Sequence, residues 1–154
     1  MTKCADVVGI GGWPAIVTDP AGIDTLDFSA STVALLVKLG VTRPGLQGVN
    51  GNLKLLLSSA TAIENAIGGA GNDTLEGSTL KNVLIGGGGN DTLTGQGADD
   101  TLMGGLGNDS LIGGADNDTY LFDDATQLDT DTVVDVSGID LLDFSVCTHN
   151  LADC

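Results

Sequence analysis

Residues 68–121 divide without a gap into six nonapeptides: GGAGNDTLE (68–76), GSTLKNVLI (77–85), GGGGNDTLT (86–94), GQGADDTLM (95–103), GGLGNDSLI (104–112) and GGADNDTYL (113–121). Glycine holds position 1 in every copy. Position 6 is Asp73, Asn82, Asp91, Asp100, Asp109 and Asp118; position 8 is Leu75, Leu84, Leu93, Leu102, Leu111 and Tyr120. A short period kept over successive copies is the mark of a solenoid, in which each repeat packs on its neighbours.

The two halves of a repeat ask for different backbones. Positions 1 to 4 are mostly glycine, which admits positive φ and a tight turn with exposed carbonyls. Positions 6 to 9 read polar–Thr–Leu–x, a short strand whose position-8 side chain points to one face. A single strand of this kind cannot bury its leucine, but stacked copies form a continuous aliphatic ladder. Such a core needs few aromatics, and the chain has only 3% Phe, Trp and Tyr against 42% hydrophobic residues. The same stacking sets position-6 carboxylates in a row at a strand spacing of ~4.8 Å. That row repels itself unless a cation lies between its members. Carboxylate and carbonyl oxygens are hard ligands that select Ca²⁺ over zinc or copper. The plainer alternative is a solenoid with solvated Asp turns and no metal.

These repeats resemble the RTX calcium-binding nonapeptide, G-G-x-G-x-D-x-U-x with U aliphatic. The run AIENAIGG (62–69) followed by LKNVLIGG (80–87) is similar to the C-terminal domain of serralysin-type secreted metalloproteases. The order DTLDFS, an alternating strand segment and IENAIGGAGNDTL is similar to tandem-repeat RTX surface proteins. In all, the resemblance spans residues 18–148. It implies an all-β fold: a right-handed parallel β-roll, a solenoid with flanking and capping strands, in which two nonapeptides make one turn. It also implies Ca²⁺ between turns, held by position-6 side chains and glycine-loop carbonyls. One edge would then carry Asp73, Asp91 and Asp109, and the other Asn82, Asp100 and Asp118. The implied carbonyl ligands are Gly69, Gly71, Gly86, Gly87, Gly88, Gly89, Gly95, Gly97, Gly104, Gly105, Gly107 and Gly113. The second repeat departs from the pattern, with Asn82 for Asp and a positive Lys81 beside it. In the sixth, Asp116 replaces the position-4 glycine and offers an extra ligand. Ligand counting gives about three to five ions.

Outside the repeats, Phe122–Asp123–Asp124–Ala125 break the register. The period resumes as TQLDTDTVV (126–134) and DVSGIDLLD (135–143), which places Asp131 and Asp140 at position 6 and Val133 and Leu142 at position 8. Lacking the position-1 glycine, these copies read as a weakly metal-binding continuation; Asp24 is a further candidate ligand. Upstream, VALLVKL (33–39) and the alternating Leu53, Leu55 and Leu57 predict strands that extend or cap the same sheets. Thr42-Arg43-Pro44-Gly45 reads as a turn. The chain is thus organised as an N-terminal arm (1–17), flanking strands (18–67), six nonapeptides (68–121), and degenerate repeats with a C-terminal arm (122–154). GIDTLDFSAST (22–32) and GIDLLDFSVCT (138–148) match at eight of eleven positions, so a long unit begins and then begins again.

Charge and motifs narrow the function. Five Lys and Arg against 21 Asp and Glu give −16, which leaves nothing to neutralise nucleic-acid phosphates or to dock on an anionic membrane. No run approaches the ~18 apolar residues of a membrane span, and MTKCADVVGIGGWPAIV does not read as a signal peptide. Three cysteines (Cys4, Cys147, Cys154) leave one unpaired, which suits an interchain bond in an oxidising compartment or an inert thiol. There is no H-E-x-x-H and no G-x-S-x-G, and the one histidine, His149, reads as a surface residue. The many Asp pairs are explained as ligands, so the chain is expected not to be an enzyme. Loop position 3 carries no rank of Thr and Asn for ice binding, and basic side chains for a polyanionic polysaccharide are missing. Asn72, Asn90, Asn108 and Asn117 match glycosylation acceptors only because the repeat generates them. The expectation is an extracellular, secreted or cell-surface calcium-ordered structural protein, self-associating through its ends as a homo-oligomer or filament. The alternative is a monomeric RTX calcium module that aids secretion and folding of an enzyme or adhesin.

Overall fold

The structure is a computed structural model that describes residues 15–17, 22–40, 46–48, 54–57, 63–123 and 129–145. These form strands β1 (Ala15–Val17), β2 (Thr25–Asp27), β3 (Leu36–Lys38), β4 (Leu46–Gly48), β5 (Lys54–Leu57), β6 (Asn65–Ile67) and β7 (Thr74–Glu76). They continue as β8 (Val83–Gly88), β9 (Thr92–Gln96), β10 (Thr101–Leu106), β11 (Ser110–Gly114), β12 (Thr119–Leu121), β13 (Thr132–Val134) and β14 (Leu141–Asp143). There is no helix among the described residues, and so none that could cross a membrane.

Two parallel sheets carry the fold, one in the order β14-β12-β10-β8-β6-β2 and the other β13-β11-β9-β7-β3. Successive strands in the chain alternate between the sheets, so each coil lays one strand in each. Within a sheet Val83 pairs with Thr101 and Thr101 with Thr119, two nonapeptides on each time. This is the parallel β-roll that the period implies.

The position-8 column becomes the core. Leu26, Ala66, Leu84, Leu102 and Tyr120 line the inner face of one sheet, and Val37, Leu75, Leu93 and Leu111 that of the other, all buried. Burying each leucine contributes about 1.5–3 kcal/mol, which lets the roll manage almost without aromatics. Strands begin at position 7, one residue later than the sequence suggests. The position-6 N–H bonds to a side chain of the next coil, whereas its carbonyl already belongs to the ladder: Thr92 N–H donates to Asp73 O at 2.9 Å.

The flanks behave in two ways. The 33–39 run yields β3, which pairs with β7 and extends the second sheet, with Lys38 beside Glu76 as an ion pair. The 53–57 run yields β5, but that strand extends neither sheet. It pairs parallel with β1 and antiparallel with β4 in a separate three-stranded sheet. The reason is topological: β2 pairs directly with β6 and β3 with β7, so the segment between β3 and β6 has no place in the coil. At the other end Ser110 pairs with Thr132 and Thr119 with Leu141, a coil four residues longer than the others. Val133 packs partly on the core, Leu142 is half-exposed, and the rings of Phe122 and Phe144 stack at 4.7 Å. The turn at 42–45, the three cysteines and His149 lie outside the described residues.

Candidate metal centre

Position-6 side chains stack into two buried columns. Along one edge Leu35 N–H donates to Asp73 Oδ1 (2.8 Å), Asp73 N–H to Asp91 Oδ1 (2.7 Å), Asp91 N–H to Asp109 Oδ1 (2.7 Å) and Asp109 N–H to Asp131 Oδ1 (2.9 Å). Along the other, Asn82 N–H donates to Asp100 Oδ1 (2.8 Å), Asp100 N–H to Asp118 Oδ1 (2.8 Å) and Asp118 N–H to Asp140 Oδ1 (3.0 Å). Asp24 stands at the head of this second column, buried, its N–H donating to Glu64 Oε2 at 2.8 Å. Asn82 interrupts the column as an amide can: Nδ2 donates to the Glu64 carbonyl (2.5 Å), and Oδ1 accepts from Ser78 N–H (2.6 Å).

The second carboxylate oxygen divides the repeats into two kinds. Asp73 Oδ2 accepts from Gly69 N–H at 2.7 Å, as Asn82 Oδ1 accepts from Ser78. In the next four loops position 2 flips to positive φ, at Gly87 (109°), Gln96 (88°), Gly105 (101°) and Gly114 (118°). Position 4 flips as well, and two of its residues, Ala98 (70°) and Asp116 (77°), hold that conformation without being glycine. In those four loops Asp91, Asp100, Asp109 and Asp118 each keep a buried Oδ2 with no hydrogen-bond partner. One unsatisfied buried acceptor costs about 1–3 kcal/mol, and more when it is charged. Four such atoms in equivalent places call for a common ligand.

The space around the orphaned oxygens fits a hard cation. A Cβ on Gly86 would collide with Asp91 Oδ2 and the Gly104 carbonyl oxygen, and one on Gly95 with Asp100 Oδ2 and the Gly113 carbonyl oxygen. The Asp91 and Asp100 orphans therefore sit with the next coil's position-1 carbonyl over a bare Cα. Carboxylate and carbonyl oxygens brought together in this way are the donor set of Ca²⁺.

A family model, the RTX calcium-binding nonapeptide repeat, matches in four overlapping copies at residues 63–79, 67–101, 76–111 and 94–124. Residues 63–124 are RTX repeats. Repeats of this family bind Ca²⁺. The RTX segment is also similar to the metalloprotease AprA of Pseudomonas entomophila (strain L48), 42% identical over 69 residues. That match covers 44% of this chain and 14% of AprA, so the chain spans a small part of that relative.

Of the glycines expected to offer carbonyls, Gly86, Gly87, Gly88, Gly89, Gly95, Gly97, Gly104, Gly105, Gly107 and Gly113 line the four RTX loops with orphaned carboxylates. Gly69 and Gly71 belong to the first loop, where the Gly69 carbonyl already accepts from Gly88 N–H at 2.8 Å. Asp116 is exposed and accepts from Ala98 N–H at 3.2 Å.

Position 5 carries a second ladder that the sequence reading passed over as glycosylation acceptors. Asn72 Oδ1 accepts from Asn90 N–H (2.9 Å), Asn90 Oδ1 from Asn108 N–H (3.0 Å) and Asp99 Oδ1 from Asn117 N–H (3.0 Å). The signal was available, since five of the six position-5 residues are Asn or Asp. Glu64 and Asp135 were also missed, the one because it precedes the repeats and the other because it stands where glycine is expected.

Burial shapes the electrostatics of the RTX loops. It pushes the Asp91 carboxyl up to about 7, with the charges of Asp109 and Asp73 adding to the effect. Asp100 rises to about 7 for the same reason, reinforced by Asp118 and Asp99. Asp109, Asp118 and Asp131 are raised too, by burial first and neighbouring carboxylates second. Without a cation, burial thus shifts each of these groups toward its protonated form.

Proposed function

We propose that the chain is an extracellular structural protein whose β-roll is ordered by calcium and whose ends associate into a fibre or surface layer. The observation that carries the calcium part is the set of four buried, partnerless Oδ2 atoms on Asp91, Asp100, Asp109 and Asp118. In this reading Asp91, Asp100 and Asp109 each bind Ca²⁺ together with carbonyls of their own loop and of the next coil, and Asp118 binds it where the last RTX loop meets a coil of a different kind. Asp73 and Asn82 are satisfied by backbone and hold coils together instead. Extracellular modules work at about 10⁻⁴–10⁻³ M Ca²⁺. Because ligand binding and folding are coupled, a roll of this kind stays loose in calcium-poor cytoplasm and stiffens outside. The position-6 carboxylates are accounted for as column members, so the role is non-catalytic.

Three observations support end-to-end association. Among the described residues β2 and β14 close the six-stranded sheet, and β3 and β13 the five-stranded one, with no further strand paired beyond them. Ile139 is 86% exposed in the last coil and Ile23 77% in the first. The same strand sequence, Gly-Ile-Asp-x-Leu-Asp-Phe-Ser, occurs at both ends. Unpaired edges template further pairing, and head-to-tail contacts that do not close give filaments.

The similarity to a segment of a metalloprotease favours a second reading, a monomeric non-catalytic RTX module that aids secretion and folding of an enzyme or adhesin. Light scattering during a Ca²⁺ titration from chelator to millimolar separates the two. A steep rise to large particles supports the fibre, and a folded monomer supports the module. A chain indifferent to calcium overturns both.

A further inference from the structure

Asp118 belongs to the last RTX loop, but the coil beyond it is not an RTX repeat. That coil is four residues longer, and Ala115 bridges to Ser137, which sets residue 135 against Gly113. In the preceding coils this place is taken by glycine, whose carbonyl crowds the loop; here it is Asp135. Carboxylate oxygens of Asp118, Asp135 and Asp140 lie within 4.8 Å of one another. Asp118 is 1% exposed and its Oδ2 has no partner. That atom is aimed into the cluster, because a Cβ on Gly113 would collide with both Asp118 Oδ2 and the Tyr120 hydroxyl. The hydroxyl in turn donates to Asp135 Oδ2 (2.5 Å) and accepts from Gly113 N–H (2.9 Å). Asp135 Oδ1 accepts from Ser137 N–H at 3.0 Å, so this side chain is held at both oxygens.

We propose that Asp118, Asp135 and Asp140 form a terminal calcium site with a donor set different from that of the RTX loops, three carboxylates in place of one carboxylate and carbonyls. Tyr120 is its positioning residue. This gives a reason for the one departure from leucine at position 8 of the six nonapeptides: a leucine at 120 fills the core, but only tyrosine also reaches Asp135. The site ties the longer final coil to the roll through side chains that the repeat does not supply. Its higher ligand charge favours a more highly charged hard cation, so terbium(III) is a suitable probe. The inference rests on the calcium reading above.

The test uses the full chain carrying Trp13→Phe, which leaves Tyr120, the only tyrosine, as the sensitiser of terbium emission. Asp135→Asn and Asp140→Asn keep an acceptor oxygen for Ser137 and Asp118 and should fold at saturating Ca²⁺, as circular dichroism will report. Each is expected to lose one Ca²⁺ per chain by calorimetric titration, together with most of the tyrosine-sensitised terbium emission. Unchanged stoichiometry and emission in both variants would overturn the terminal site alone, with the loops still binding. A parent chain that takes up no Ca²⁺ would bring down the site and the calcium reading together.

Discussion

The backbone N–H of Asp91 donates to Oδ1 of Asp109, 18 residues further on, at 2.7 Å, while Oδ2 of the same Asp109 is buried without a partner. One carboxylate thus has two tasks. One oxygen staples two coils, and the other is left for a cation. Asparagine can keep the staple but replaces the free oxygen with a donor. Asp91→Asn and Asp109→Asn should each lose one bound ion and raise the calcium midpoint of folding at least about tenfold, ~1.4 kcal/mol. Asp73→Asn should leave the ion count unchanged and instead cost about 1–3 kcal/mol, since both Asp73 oxygens accept backbone N–H groups. Calorimetric titration of the three variants is the check; a lost ion in Asp73→Asn would contradict the division of the loops.

Raised carboxyl pKa values make a statement about pH. Asp91 and Asp100 lie at about 7 when folded, against an ordinary 3.8. An acid whose folded pKa is raised binds its proton more tightly in the native state. In chelator the roll should therefore be most stable below about pH 4, lose stability up to about pH 7, and level off above. Calcium reverses the trend, because protons compete with it for the same oxygens, and apparent affinity should rise over the same window. Thermal unfolding in chelator from pH 4 to pH 8 tests this. Stability that is flat or rising there would count against it.

Two glycines in neighbouring repeats should respond very differently to alanine. Gly105 has φ of 101°, and a Cβ on it would collide with the Gly87 carbonyl oxygen, whereas a Cβ on Gly97 would meet no atom within 4 Å. Gly105→Ala should shift the calcium midpoint of folding upward by about tenfold or more, combining backbone strain with a steric clash. Gly97→Ala should stay within about 0.5 kcal/mol of the parent. Circular dichroism followed against Ca²⁺ distinguishes them, and equal shifts would refute the loop geometry.

The leucine ladder should be most sensitive at its middle. Leu102 is fully buried between Leu84 and Tyr120, whereas Leu142 is half-exposed on the last strand of the same column. Leu102→Ala should cost about 2–5 kcal/mol at saturating Ca²⁺. Leu142→Ala should cost less than about 1 kcal/mol, because little apolar area is covered there. Thermal unfolding of both variants measures the difference.

Much of this was written in the nine-residue period. It fixed which residues face inward, from Leu75 to Tyr120, and which stack along the two edges, from Asp73 to Asp118. A side chain's face depends on local backbone alternation, and the spacing of coils depends on the repeat length; both are properties of short segments. Gly69 and Gly87 show where that stops. Both are position-2 glycines, yet only Gly87 has positive φ, and that flip decides whether the loop's Asp is satisfied by an amide or left open. The strand at 54–57 was legible, but its partners were not. Asp135 was visible as a residue and not as a neighbour of Asp118, because a coil four residues longer had to close before the two could meet. The sequence alone determined the period, the ladder and the carboxylate columns. Only the folded loops decided which oxygens were left without a donor, because the donor is the position-2 N–H of the same loop, and whether it turns toward the carboxylate depends on a backbone flip that two glycines in that place do not distinguish.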